Sequence, residues 1–86
     1  MNTDNLKDNI VTNVYYIDAQ KNVAIHKHDN HNEIFYCVKG SGYGILEDSE
    51  IILKVGDVFN VKAKEMHSLR SDSEMYVASF LIPIIR

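Results

Sequence analysis

The stretch of sequence that decides the fold runs from His26 to Gly40 and reads HKHDNHNEIFYCVKG. Its middle, Asp29–Asn32, is a dense cluster of residues that favour turns. The runs on either side, Val23–His28 and Glu33–Lys39, are rich in the β-branched and aromatic residues that suit strands. Two such runs around a turn cluster predict two neighbouring strands.

The rest of the chain repeats this layout. Strand-like runs separated by turn residues lie at Ile10–Ile17, Tyr43–Glu47, Glu50–Lys54, Val58–Val61, His67–Arg70 and Met75–Ile82. The chain holds 18 Val and Ile against 9 Leu and Ala, and no stretch sustains the helical apolar period. About eight strands at this spacing predict an all-β sandwich or closed barrel. We expect a single domain over residues 10–86, preceded by a flexible polar N-terminal arm over residues 1–9.

Composition excludes several classes of protein. The 86 residues carry 9 Lys and Arg against 12 Asp and Glu with no basic block, so we expect no nucleic-acid partner. The longest apolar run, Phe80–Ile85, is too short to span a bilayer, and the N-terminus lacks the apolar core of a signal peptide. Because Cys37 is the lone cysteine, no intrachain disulfide can form, and we expect a reducing, cytoplasmic location.

The same apolar run bears on assembly. Consecutive apolar residues in Phe80–Ile85 imply burial on both faces of a strand, which so small a barrel achieves most readily against a second subunit. Tyr36, on the opposite strand face from Glu33, is expected at an interface or between sheets, together with Ile34 and Val38. We therefore predict a homodimer.

Histidines and one carboxylate gather around the turn cluster. His26 and His28 are two positions apart on a strand and so share a face, and Glu33 opens the next strand. Two imidazoles and a carboxylate suit divalent Fe, Mn, Ni or Zn. A fourth ligand could come from later in the chain, where His67 is the only histidine. From spacing alone, solvated loop histidines are an equal alternative, and His31 is expected to be a solvated turn residue.

The order of these residues resembles the motifs of the cupin superfamily. His26-Lys-His28, four residues, Glu33, six residues and a glycine is similar to the first cupin motif. Gly56, the Lys62–Met66 loop and His67 follow the order of the second cupin motif, whose last position is Ser71 in this chain. The resemblance implies a cupin-like β-barrel, a double-stranded β-helix or jelly roll. It also implies a mononuclear metal site with the ligands His26, His28, Glu33 and His67.

Four positions depart from these motifs. Gln20 stands where the first motif begins with glycine, and Lys62, Lys64 and Ser71 stand where the second has proline, glycine and asparagine. These are turn and loop positions rather than ligand positions, so we expect the fold and the site to survive. The departures alter the shape and charge of the Lys62–Met66 loop, and with it any substrate implied by the resemblance.

The implied site sets the expected function. Three neutral imidazoles, one carboxylate and a divalent ion carry a net charge of about +1, which favours a small anionic molecule. Phe35 and Cys37 share the strand face of Glu33, and with Leu69 they are expected to line the pocket, although a plain core role is the alternative for Cys37. We expect a metal-dependent oxygenase or isomerase. The alternatives are a non-catalytic small-ligand sensing or binding module that acts through a partner protein, and a barrel that holds no metal.

Overall fold

Every regular element in the part of the chain that the structure describes is a β-strand, and the strands pair antiparallel. The computed structural model describes residues 10–84, with the backbone alone for residues 23–26. The expected N-terminal arm, residues 1–9, and the last two residues of the expected domain lie outside this range. The strands are β1 (Val11–Asp18), β2 (Val23–His26), β3 (His31–Leu46), β4 (Glu50–Lys54), β5 (Val58–Val61), β6 (His67–Arg70) and β7 (Glu74–Pro83). The all-β prediction is confirmed.

The long strand β3 joins two sheets. Its first half pairs with β7 on one side and β5 on the other, and β1 extends that sheet beyond β7. Its second half pairs with β4 and β6, and β2 extends the second sheet beyond β6. All of these pairs are antiparallel, which is the layout of a jelly roll. Among residues 10–84 no helix is long and apolar enough to cross a membrane.

Strand β3 replaces two predicted strands, Glu33–Lys39 and Tyr43–Glu47. The glycine-rich segment between them, which the sequence predicts to be a bend where strands cross closely, is a bend inside one continuous strand, with a register shift between Cys37 and Lys39. Gly40 has a φ of 80°, and a Cβ there would overlap the carbonyl oxygen of Glu74. Glycine tolerates both conditions, so the strand bends and passes from one sheet into the other without ending.

The core lies between the two sheets. Phe35 and Phe59 stack with ring centroids 5.8 Å apart, and Gly44 makes room for them because a Cβ there would lie 2.5 Å from the ring of Phe59. The other buried apolar residues of the described chain are Ile17, Cys37, Leu53, Val61, Leu69, Met75 and Val77. Cys37 is thus a fully buried core thiol, which is the plainer of its two expected roles.

The outer face of the β1–β7–β3–β5 sheet is apolar as well. Val14, Tyr16, Tyr36, Val38 and Val58 all leave 39% or more of their surface exposed. Register places Val14 beside Ala78, Ala78 beside Tyr36 and Tyr36 beside Val58, so these side chains form one continuous row across the sheet. Such a contiguous apolar surface is uncommon on a monomer.

Candidate metal centre

Three chain segments bring the candidate ligands together at one end of the core. Glu33 lies near the start of β3, flanked in register by Leu81 on β7 and Val61 on β5. His67 is the first residue of β6, and His28 lies in the connection between β2 and β3. The strand alternation that buries Phe35 also turns the Glu33 side chain inward, because the two residues are two positions apart.

The Glu33 carboxylate is the centre of this cluster. Its Oε1 atom lies 2.9 Å from Nε2 of His67 and 3.1 Å from Nε2 of His28. Glu33 and His67 expose only 2% and 1% of their surface, whereas the His28 side chain exposes 30% and marks the open side of the cluster. The donor atoms of the three residues all lie within 4.8 Å of one another.

The hydrogen bonds of His67 define which atom faces Glu33. Its Nδ1 lies 3.0 Å from the backbone carbonyl of Glu65, and a carbonyl oxygen only accepts, so Nδ1 carries a proton. In neutral His67 the lone pair of Nε2 therefore points at Oε1 of Glu33. Two acceptors at 2.9 Å require a cation between them, either a proton or a metal ion.

A proton between Glu33 and His67 satisfies this requirement when no metal ion is bound. Burial lowers the pKa of His67, but hydrogen bonds to Glu33 and to the carbonyl of Glu65 outweigh burial and raise it above its usual value. Burial raises the pKa of Glu33, but hydrogen bonds from His67 and Ser79 and the nearby imidazoles bring it below its usual value. Both pKa shifts favour the carboxylate form of Glu33 and the imidazolium form of His67.

The same geometry fits a divalent metal ion. Two donors bound at right angles with bond lengths of about 2.1 Å are about 3.0 Å apart, whereas tetrahedral donors are about 3.4 Å apart. The separations of 2.9 and 3.1 Å between Glu33 and the two imidazoles, which are also hydrogen-bond lengths, are short enough for one ion to be held by Glu33 and both imidazoles. His28, Glu33 and His67 could therefore hold a transition metal ion.

The other expected site residues lie in different surroundings. In the register of β2 and β6 the backbone of His26 is opposite His67, and its side chain lies outside the described residues, so its role as a ligand stays a prediction. His31 is a half-buried residue of β3 opposite Pro83 rather than part of a turn. Phe35, which touches the ring of His67 at a centroid distance of 5.8 Å, is packed in the core with Cys37 and Leu69.

An open depression lies beside His67. It has a volume of about 320 Å³ and is lined by Ile45, Leu46, Glu47, Met66 and His67. A second depression shares Leu46, Glu47 and Met66 with it and continues over the loop at residues 62–66. The expected pocket residues Phe35, Cys37 and Leu69 do not line either depression.

The structure explains how the departures from the cupin motifs are tolerated. Lys64 adopts a φ of 73°, the left-handed conformation in which glycine is usual, and its N–H donates to the carbonyl of His28 at 2.7 Å. The N–H of Gln20 is held by the Asp18 carboxylate at 2.9 Å, and the Ser71 hydroxyl donates to the carbonyl of Ser41 at 2.6 Å. The Lys62 N–H likewise donates to the Glu65 carboxylate at 2.9 Å, so each departure makes a hydrogen bond, and the Lys64 N–H ties the loop at 62–66 to the carbonyl of His28.

Sequence reasoning missed two polar residues near the cluster. Ser79, fully buried on β7, donates a hydrogen bond to Oε2 of Glu33 at 2.6 Å. Tyr15 on β1 alternates with buried Ile17, and burial together with the negative charge of Glu33 raises the pKa of its phenol. The sequence feature that could identify Ser79 is that it is the single serine among the inward positions of β7. The other inward positions hold apolar residues such as Met75 and Val77.

A fold of two antiparallel sheets with imidazole and carboxylate donors between them is the arrangement expected of a cupin. The chain matches the model of the cupin domain family over residues 14–83, and it therefore belongs to that family. The predicted cupin resemblance is confirmed.

Individual relatives match smaller parts of the chain. It is 42% identical over 51 residues to quercetin 2,3-dioxygenase of Bacillus subtilis (strain 168). The aligned region covers 59% of this chain and 15% of that protein. It is also 41% identical over 49 residues to the pectin degradation protein KdgF of Dickeya dadantii (strain 3937). This second aligned region covers 57% of this chain and 44% of that protein. The chain thus spans less than half the length of either curated relative.

A solved structure matches almost the whole chain. The crystal structure of a predicted oxalate decarboxylase from Thermotoga maritima superposes with a TM-score of 0.82 over 98% of this chain and 76% of that chain. The two sequences are 20% identical, so the likeness shows a shared fold and nothing more about chemistry.

Proposed function

We propose that this cupin binds one divalent transition metal ion, Mn, Fe, Ni or Zn, and presents it to a small, anionic molecule. His28, Glu33 and His67 would be ligands, and His26 would be the fourth. The observation that carries the proposal is the position of Oε1 of Glu33, 2.9 and 3.1 Å from the Nε2 atoms of two imidazoles. Such a donor set suits these ions.

The bound ion would act as a Lewis acid and contribute a net site charge of about +1 with these ligands. The protein's own residues define how it is presented. Glu33 and His67 are buried and fixed by hydrogen bonds, whereas partly exposed His28 lies on the side from which a ligand would approach. The carbonyl of Glu65 accepts a hydrogen bond from Nδ1 of His67. When His67 is neutral its proton is therefore on Nδ1, and the lone pair of Nε2 is available to a metal ion.

The depression beside His67 is the proposed place for the body of the small molecule. Ile45, Leu46 and Met66 supply apolar contacts, and its volume of about 320 Å³ is at the lower end for small-molecule sites. A molecule that coordinates through an anionic oxygen and packs an apolar part here would satisfy both surfaces. Metal-dependent oxygenation or isomerisation is the reaction class proposed, and the name of the B. subtilis dioxygenase supports the former.

Metal titration of matched variants tests the proposal. His67→Gln removes a proposed ligand. His31→Gln is the control, since His31 lies three residues after His28 but does not belong to the cluster of potential metal ligands. Untagged protein freed of metal by chelation is titrated with Mn(II), Fe(II), Ni(II) and Zn(II). We expect about one site per chain in the native protein and in His31→Gln, and at least a hundredfold weaker binding in His67→Gln. Equal affinity in all three proteins would refute the ligand assignment.

Turnover separates an enzyme from a sensing module. With the metal-loaded protein, consumption of a candidate small carboxylate or enol together with its loss in Glu33→Gln indicates catalysis. Ligand-induced stabilisation without product in the native protein indicates the binding module that acts through a partner protein. A free buried Cys37 suits a reducing compartment, and we propose a cytoplasmic location.

We also propose that the protein is a homodimer through the apolar outer face of the β1–β7–β3–β5 sheet. Val58→Lys places a charge on this face at a side chain that is 50% exposed, and Ile52→Lys is the control on the other sheet at 62% exposed. Light scattering is expected to give twice 9.8 kDa for the native protein and Ile52→Lys, and 9.8 kDa for Val58→Lys. A native monomer at micromolar concentration would contradict the proposal.

A further inference from the structure

Ser79 is a polar residue at a position that the fold would fill with an apolar side chain. Met75 and Val77, the preceding inward residues of β7, are buried in the core. In register Ser79 lies beside Phe35 on β3, and its exposed surface is 0%. Packing alone gives no reason for a hydroxyl here, and a buried hydroxyl without a partner is costly.

The hydroxyl is used by the carboxylate of Glu33. Ser79 Oγ donates to Oε2 of Glu33 at 2.6 Å, the length of a charge-assisted bond between a hydroxyl and a carboxylate. The opposite oxygen, Oε1, is the one that faces the imidazoles of His28 and His67. Among the described side chains, the two oxygens of Glu33 thus have separate partners.

We propose that Ser79 is a positioning residue of the metal centre, whose hydroxyl restricts Glu33 to binding the ion through Oε1 alone. This inference rests on the proposed metal binding. With Oε2 engaged, the carboxylate occupies one coordination position instead of two, which leaves one more for a small-molecule ligand. Groups that orient a metal ligand in this way typically change metal affinity by about 10- to 100-fold when they are removed.

Cobalt(II) is the probe for this role, because its visible absorption reports the number and arrangement of its ligands while a titration gives the affinity. Ser79→Ala removes the hydroxyl. Ser71→Ala is the matched control, since Ser71 is also 0% exposed and also donates a 2.6 Å hydrogen bond, but to the carbonyl of Ser41. Thermal unfolding of the metal-free proteins shows whether each variant is folded.

A second pair of variants removes the effect of side-chain volume. Ser79→Thr and Ser79→Val add nearly the same bulk, and only threonine keeps the hydroxyl. We expect Ser79→Thr to bind cobalt about tenfold more tightly than Ser79→Val and to keep the native absorption spectrum. A structural role alone would lower the unfolding temperature of both variants equally and leave the spectrum of both unchanged.

The results separate this inference from the proposed function. Weaker cobalt binding and an altered spectrum in Ser79→Ala, with native values in Ser71→Ala, support positioning by Ser79. Native affinity and spectrum in both Ser79→Ala and Ser79→Val overturn it while leaving the metal site intact. Failure of the native protein to bind cobalt overturns the metal site itself.

Discussion

Replacing Glu33 with glutamine in the metal-free protein removes a buried negative charge and keeps the shape of the side chain. Glu33 and His67 are 2% and 1% exposed and are 2.9 Å apart. Removing one member of a buried pair typically costs about 3–5 kcal/mol when the other stays charged. His67 can instead lose its proton in the variant, so we expect a loss of about 3 kcal/mol where the native pair is fully ionised.

The size of this loss depends on pH, and the two pKa shifts give its sign. The pKa of His67 is raised above 6.5, so its contribution is complete below 6.5 and is lost as the pH rises through the folded-state pKa. The pKa of Glu33 is lowered below 4.5, so its contribution is complete above 4.5 and is lost as the pH falls through the folded-state pKa. The pair therefore stabilises the fold fully between pH 4.5 and 6.5.

Urea unfolding of chelator-treated protein at about pH 5.5 and pH 9 measures the effect. Glu33→Gln should lower the free energy of unfolding by about 3 kcal/mol at the lower pH and by under about 1 kcal/mol at the higher, where the amide can donate to neutral His67. Glu47→Gln, at an exposed carboxylate beside the depression, is the control and should show no such difference. Equal losses for Glu33→Gln at both pH values would refute the buried ion pair.

Three further substitutions or treatments test the fold around the site. The Cys37 thiol is buried and burial raises its pKa, so iodoacetamide at pH about 8 should label it only after urea is added, and rapid native labelling would contradict the packing. Gly44→Ala should lower the free energy of unfolding by about 1–3 kcal/mol because the new methyl group meets the Phe59 ring; an unchanged urea midpoint would show that the ring can move aside. Lys64→Gly should raise the free energy of unfolding by up to about 1 kcal/mol, because glycine adopts a φ of 73° without strain, and should leave the cobalt affinity unchanged. A lower free energy of unfolding would show instead that the lysine side chain has a structural role.

Local sequence patterns predict most of the strands and the face that Glu33 uses. Alternation along residues 33–37 places Glu33, Phe35 and Cys37 on one side, and all three are buried. The same patterns could not show that β3 continues through Gly40, because a glycine ends a strand in one context and bends it in another. Whether the strand ends or bends at Gly40 depends on the nearby carbonyl of Glu74, which is distant in sequence and close in the fold.

The candidate site likewise contains residues that the sequence predicts and residues whose roles depend on the folded structure. The resemblance to the cupin motifs implies the ligands His26, His28, Glu33 and His67, and the fold brings the last three within reach of one ion. Ser79 was not predicted because its contact with Glu33 joins residues 46 positions apart and depends on the register of β3 and β7. Lys64 was recognised as a departure from glycine, but its conformation and its bond to His28 belong to the folded loop.

Metal content is the most direct test of the central claim. Untagged protein is supplied in turn with Mn, Fe, Ni and Zn, freed of loosely bound ions, and analysed by inductively coupled plasma mass spectrometry beside His67→Gln. We predict about one equivalent of at least one of these metals per chain in the native protein and less than about a tenth of that in the variant. No stoichiometric metal in the native protein after all four have been offered would contradict the account.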